Sequence, residues 1–190
     1  MKIKAVFLFI IITSSLLSGC FGEEEEEPEK RFSWPEFEDI TCDISDIPKY
    51  QCDNFLGGFN TPIKTLKHPI KEELWIADLS GEIYSWDGTN RELVGNISSV
   101  ISTCHNEQGL LGFSFLNTDQ DEIRVLLSYT EKLSCEGEEG VASLILSEAS
   151  IINGIIDIES INHLREIIQP QRNHNGGSIL AIGNNQFLWS

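Results

Sequence analysis

The sequence predicts an all-β fold, and three observations carry that expectation. From Pro62 onward, short runs rich in β-branched and aromatic residues recur about every ten residues, the spacing of strands in a sandwich, barrel or propeller. Serine, aspartate and glycine punctuate those runs at turn positions, as in Ser80-Gly81 and Asp87-Gly88. The last run, Phe187 to Trp189, reaches the end of the sequence with no closing element. An edge left open in that way leads us to expect the front part of something larger.

Taken in order, the predicted strands are Ile63 to Leu66, Leu74 to Ala77, Ile83 to Trp86, Leu110 to Phe115, Ile123 to Tyr129, Val141 to Leu146, Ile179 to Ile182 and Phe187 to Trp189. His68-Pro69 breaks the chain between the first two. Ile151 to Ile168 is isoleucine-rich with acidic interruptions, and its period fits a strand plus an irregular crossing. Leu110, Leu111, Phe113 and Phe115 read as core. Asn96-Ile97-Ser98 has the form of a glycosylation sequon, a triplet that also arises by chance.

Residues 1–58 are of a different kind. Lys2 and Lys4 precede an apolar run from Ala5 to Leu17, short for a bilayer span but suited to the hydrophobic region of a signal peptide. Leu17-Ser18-Gly19-Cys20 then resembles the lipobox of prokaryotic lipoproteins, which implies cleavage within residues 1–20, acylation of Cys20 and an exported, membrane-anchored protein. Residues 21–58 follow as an acidic tether and irregular lead-in. Glu23 to Glu27 is an unbroken glutamate run followed by Pro28, and like charges beside a proline favour an extended, solvated segment.

The chain has 190 residues and a formal charge of −17, from 30 acidic and 13 basic side chains. That excess excludes a nucleic-acid partner and an electrostatic patch for anionic lipid, both of which need a basic face. The chain carries five cysteines, and with an export signal they point to an oxidising compartment. If Cys20 carries lipid, the remaining four allow three pairings. We expect Cys42–Cys52, which are near in sequence, and Cys104–Cys135. A Cys-x-x-Cys metal pattern is missing, and His105 beside Cys104 and Glu107 lacks a further ligand at suitable spacing. His68 and His163 read as loop or surface residues.

Chemistry concentrates at Asn173-His174-Asn175-Gly176-Gly177. The glycine pair allows a sharp turn or a close backbone approach, and the apolar run from Ile179 reads as a buried strand behind it. His174 therefore stands where a scaffold can hold an imidazole rigidly at a solvent-open edge. With an ordinary pKa of about 6.5, histidine suits a general base at neutral pH.

Three segments, in order, resemble the glucose/sorbosone dehydrogenase family of quinoprotein and aldose sugar dehydrogenases. Glu107-Gln108-Gly109-Leu110-Leu111-Gly112-Phe113-Ser114-Phe115 is similar to that family's E-x-G-L-L-G-x-A-F signature, and His174-Asn175-Gly176-Gly177 to its H-N-G-G motif. Leu74 to Ile83 is similar to its first-blade segment. The resemblance spans about Phe59 to Ser190, so that residues 59–190 would be the N-terminal part of a propeller. It implies a six-bladed β-propeller of four-stranded antiparallel blades, with only the first blades present. It also implies pyrroloquinoline quinone and calcium as cofactors, most of whose ligands would lie beyond Ser190, and oxidation of an aldose at its anomeric carbon in a longer parent. The electron acceptor is not specified.

In the roles the family implies, His174 takes the anomeric hydroxyl proton, while Glu107 and Asn173 face the substrate sugar. Two turns depart from the family pattern: Gly183-Asn184-Asn185-Gln186, and Leu116-Asn117-Thr118-Asp119 after the Leu-Leu-Gly strand. A competing expectation is a non-catalytic extracellular propeller that binds protein or glycan, similar to Hedgehog-interacting proteins. Fold alone does not separate the two.

Overall fold

The computed structural model describes residues 56–117, 123–132, 135, 141–183 and 185–190. The expected signal peptide, Cys20, the acidic run, Cys42 and Cys52 lie outside the described residues. Among the described residues the regular structure is β throughout, apart from one 3-10 turn at Ile158–Ser160, and no helix is long and apolar enough to cross a membrane.

The first sheet is an antiparallel meander of four strands, β1 (Pro62–Lys67), β2 (Leu74–Asp78), β3 (Glu82–Trp86) and β4 (Arg91–Asn96), in the order β1-β2-β3-β4. Aspartates close its hairpins. The Asp78 carboxylate accepts from the Thr61 and Ser80 N–H groups at 2.9 and 3.0 Å. Asp87 Oδ1 accepts from Thr89 and Asn90 at 2.8 and 2.7 Å, and those backbone donors hold its carboxyl below the ordinary aspartate range.

The second sheet contains β5 (Leu110–Asn117), β6 (Arg124–Thr130), β7 (Leu144–Ile152) and β9 (Asn162–Ile167), all antiparallel, with the two-residue β8 (Ile155–Ile156) folded back on the end of β7. A third layer is the hairpin of β10 (Ile179–Gly183) and β11 (Gln186–Trp189).

The three layers stack face to face, and β6 explains how. Val125, Leu127 and Tyr129 point into a cluster shared with Trp75, Ile83, Phe113 and Phe115, while Leu126 points the other way, against Leu146 and Ile179. Period-two alternation sends neighbours to opposite faces, so a strand buried on both sides must be apolar almost throughout. The sequence Val125-Leu126-Leu127-Ser128-Tyr129 meets that demand, and its one polar member is matched across the layer: Trp189 Nε1 donates to Ser128 Oγ at 2.9 Å.

Several expectations on element bounds change. β4 lies outside the predicted strands; Arg91 and Glu92 are exposed, and only Val94 and Gly95 turn inward. β7 begins at Leu144 rather than Val141. The ambiguous stretch from Ile151 resolves into the end of β7, β8, the 3-10 turn and β9. His68, expected in a loop or at the surface, is buried between Trp75 and Phe115, with ring centroids at 5.5 and 5.2 Å. Its Nδ1 accepts from the Ile70 and Lys71 N–H groups at 3.2 and 3.0 Å, so it closes the β1–β2 connection from inside. His163 does lie at the surface, on β9, with Nε2 at 3.0 Å from the Tyr129 hydroxyl.

Candidate functional site

Two loops meet at one end of the second sheet. Residues 97–109 lead from the first sheet into β5, and residues 168–178 lead from β9 into β10. Thr130, at the end of β6, fixes the first loop: its Oγ1 receives the Gly109 N–H at 2.8 Å, and its backbone carbonyl receives the Ser102 N–H at 2.8 Å. A disulfide between Cys104 and Cys135 ties the same loop to the chain after β6.

Glycines let the backbones close in. Leu110 N–H donates to the Leu79 carbonyl at 2.9 Å, and a Cβ on Gly109 would run into that same oxygen. A Cβ on Gly112 would run into the Gly177 carbonyl oxygen, and one on Gly177 would sit 2.8 Å from Leu111 Cβ. One glycine of each motif, Gly112 and Gly177, is thus required by a single contact between the two segments, while Gly109 is required by its approach to Leu79.

Side chains complete the junction. Gln108 is fully buried; it accepts from Ser102 Oγ at 2.7 Å and donates through Nε2 to the Arg172 carbonyl at 3.2 Å. Asn175 Nδ2 donates to the carbonyls of Glu107 and Arg172, each at 3.3 Å. These bonds hold the 172–177 turn against Glu107. Its carboxylate Oε2 then accepts the His174 backbone N–H at 2.6 Å and lies 4.0 Å from His174 Nδ1.

His174 itself has φ +59°, the left-handed region, which is uncommon outside glycine. That twist turns its side chain outward: 84 % of the imidazole surface is exposed, against 44 % for the Glu107 side chain. The arrangement gives a solvent-facing imidazole on a fixed backbone, with one carboxylate at its base. Chemically this is a proton acceptor with an anionic neighbour.

Of the sequence-predicted residues, the structure brings His174 and Glu107 together across 67 residues of chain. Asn173 is half-buried beside them, and Cys104 and Cys135 are joined. His105 serves the loop, its Nδ1 accepting the Glu107 N–H at 3.3 Å. Sequence reasoning missed Gln108 and Asn175, which do the holding; both sit within the quoted motifs, but only burial distinguishes them from neighbours. Asn175 Oδ1 is buried with no hydrogen-bond partner among the described residues.

The described residues include no cluster of three or more His, Cys, Asp or Glu side chains suited to a metal ion. One carboxylate and one imidazole fit proton transfer; they do not make a calcium centre or a quinone cradle. Compared with known protein families and with curated proteins, the chain matches none.

Proposed function

We propose that the two-loop junction is the proton-accepting part of a sugar-oxidising site, in a six-bladed propeller of the glucose/sorbosone dehydrogenase kind. The observation that carries this reading is the convergence of His174 and Glu107, 67 residues apart, on one exposed edge. Further support comes from two antiparallel sheets of four main strands each, stacked face to face as propeller blades stack.

Oxidation of an aldose at its anomeric carbon requires the hydroxyl proton to leave as the carbon gives up a hydride. His174 would take that proton at a ring nitrogen, because its imidazole is open to solvent and its backbone is fixed on both sides. The electron pair goes to an acceptor that these residues do not hold; the resemblance names pyrroloquinoline quinone, with calcium. We also propose export and lipid anchoring at Cys20, on the strength of the leader sequence.

The test is aldose-dependent dye reduction by the longer parent protein that the resemblance implies, supplied with pyrroloquinoline quinone and calcium, compared with its His174→Asn variant. Asparagine tolerates the left-handed backbone, so the variant removes the base and leaves the loop in place. Turnover that falls by about 100-fold or more in the variant supports the base assignment. No turnover by the wild-type parent protein across a broad aldose panel refutes the dehydrogenase reading and favours a binding propeller.

A further inference from the structure

We propose that Glu107 acts through His174, as the group that orients its imidazole, rather than by hydrogen-bonding the sugar directly. This inference rests on the reading of His174 as the proton acceptor, and it starts from where the carboxylate already is. Oε2 receives the His174 backbone N–H at 2.6 Å, and His174 Nδ1 stands 4.0 Å from the same oxygen. An ionised carboxylate is an acceptor only, so a ring nitrogen that bonds it must be the one that carries a proton. Nδ1–H toward Glu107 leaves Nε2 with its lone pair directed away from the loop, toward solvent and substrate.

The carboxylate is well placed to impose this. The Glu107 N–H is held by His105 Nδ1 at 3.3 Å, and its carbonyl by Asn175 Nδ2 at 3.3 Å, so its backbone is held on both sides of the Cα. A separation of 4.0 Å exceeds a hydrogen bond, so the orienting bond requires the exposed imidazole to turn toward Oε2. Bonds of this kind commonly tighten when substrate arrives. The other titratable or charged residues of the two loops beside the pair are His105 and Arg172, one on each loop.

Nitrogen-15 NMR of the full chain, labelled at histidine and recorded at about pH 8.5, reads the tautomer of His174 directly. Its signals are assigned by their loss in His174→Asn. We expect the Nδ1–H form to predominate in the wild type and that preference to disappear in Glu107→Gln, whose amide oxygen still accepts the His174 N–H and keeps the loop folded. Kinetics add a second reading: orientation predicts that Glu107→Gln lowers kcat by about tenfold with KM little changed, whereas direct sugar binding predicts a raised KM at unchanged kcat. An unchanged tautomer in both Glu107→Gln and Glu107→Ala, or Nε2–H in the wild type, overturns the proposal. A parent protein that oxidises no aldose but shows the Glu107-dependent tautomer upholds the orienting role while the dehydrogenase reading falls.

Discussion

Replacing Gly177 by alanine tests whether the contact between the two loops carries the stability and geometry assigned to it. The new Cβ would lie 2.8 Å from Leu111 Cβ, 3.0 Å from Ser128 Oγ and 3.2 Å from Leu144 Cδ1. Carbon atoms in contact prefer about 3.5–4.0 Å, so the 177 segment must retreat from β5 by roughly 1 Å. Overpacking of that kind costs about 1–3 kcal/mol, and placing alanine at φ +96° adds about 1–2 kcal/mol. The sum, about 2–5 kcal/mol, corresponds to a fall in Tm of about 8–20 °C for a body of this size. Thermal and urea unfolding of the full chain measure it, with Gly57→Ala as the control, since nothing lies within 4 Å of a Cβ there and its φ is not positive. A shift of 1 Å in the loop that carries His174 also lowers any turnover by about 100-fold. Should Gly177→Ala melt within about 0.5 kcal/mol of the wild type, the tight approach does not hold the loops together.

Reduction of the Cys104–Cys135 bond, or Cys104→Ala with Cys135→Ala, opens a loop of sequence separation 31 and lowers stability by about 3–4 kcal/mol on the chain-entropy account, readable as a drop in urea midpoint. An unchanged midpoint in dithiothreitol refutes that contribution. His68 gives a pH dependence. Burial holds its pKa below 6.5, with Lys71 lowering it further and Glu73 opposing. The unfolded chain therefore takes up a proton first, so stability is full above pH 6.5 and is lost as the pH falls through the lower folded value. His68→Asn keeps an acceptor for the Ile70 and Lys71 N–H groups but does not titrate, so its stability declines less between about pH 7 and 5. Equal slopes for the two proteins refute a buried, neutral His68.

How far the sequence reveals this structure depends on where each signal resides. Val125 to Tyr129 announces a strand because burial on both faces forces apolar residues at consecutive positions. β4 announces nothing, since Arg91 and Glu92 stay in solvent and the strand exists through its pairing with β3. The β7–β8 hairpin turns at Asn153-Gly154, a pair the sequence reading did not pick out, with φ values of 54° and 81° as in a two-residue turn with both centres left-handed. Isoleucines on either side obscured it. His68 reads as a loop residue because Pro69 follows it; only the arrival of Trp75 and Phe115 from other strands buries the ring. At the site, the motifs name His174 and Glu107 separately. Their meeting depends on Gln108 and Asn175 bridging the two loops through backbone carbonyls, an interaction with no local pattern.

The left-handed backbone at His174 has a consequence for how this position could change over generations. An L side chain there costs on the order of 1 kcal/mol that glycine avoids, so drift under selection for folding alone runs toward glycine or asparagine. A histidine there would be kept only by selection for something other than folding. Under the proposed proton-accepting role, the position is one where fold maintenance and chemistry would pull apart, and variants chosen purely for heat resistance should lose the imidazole early.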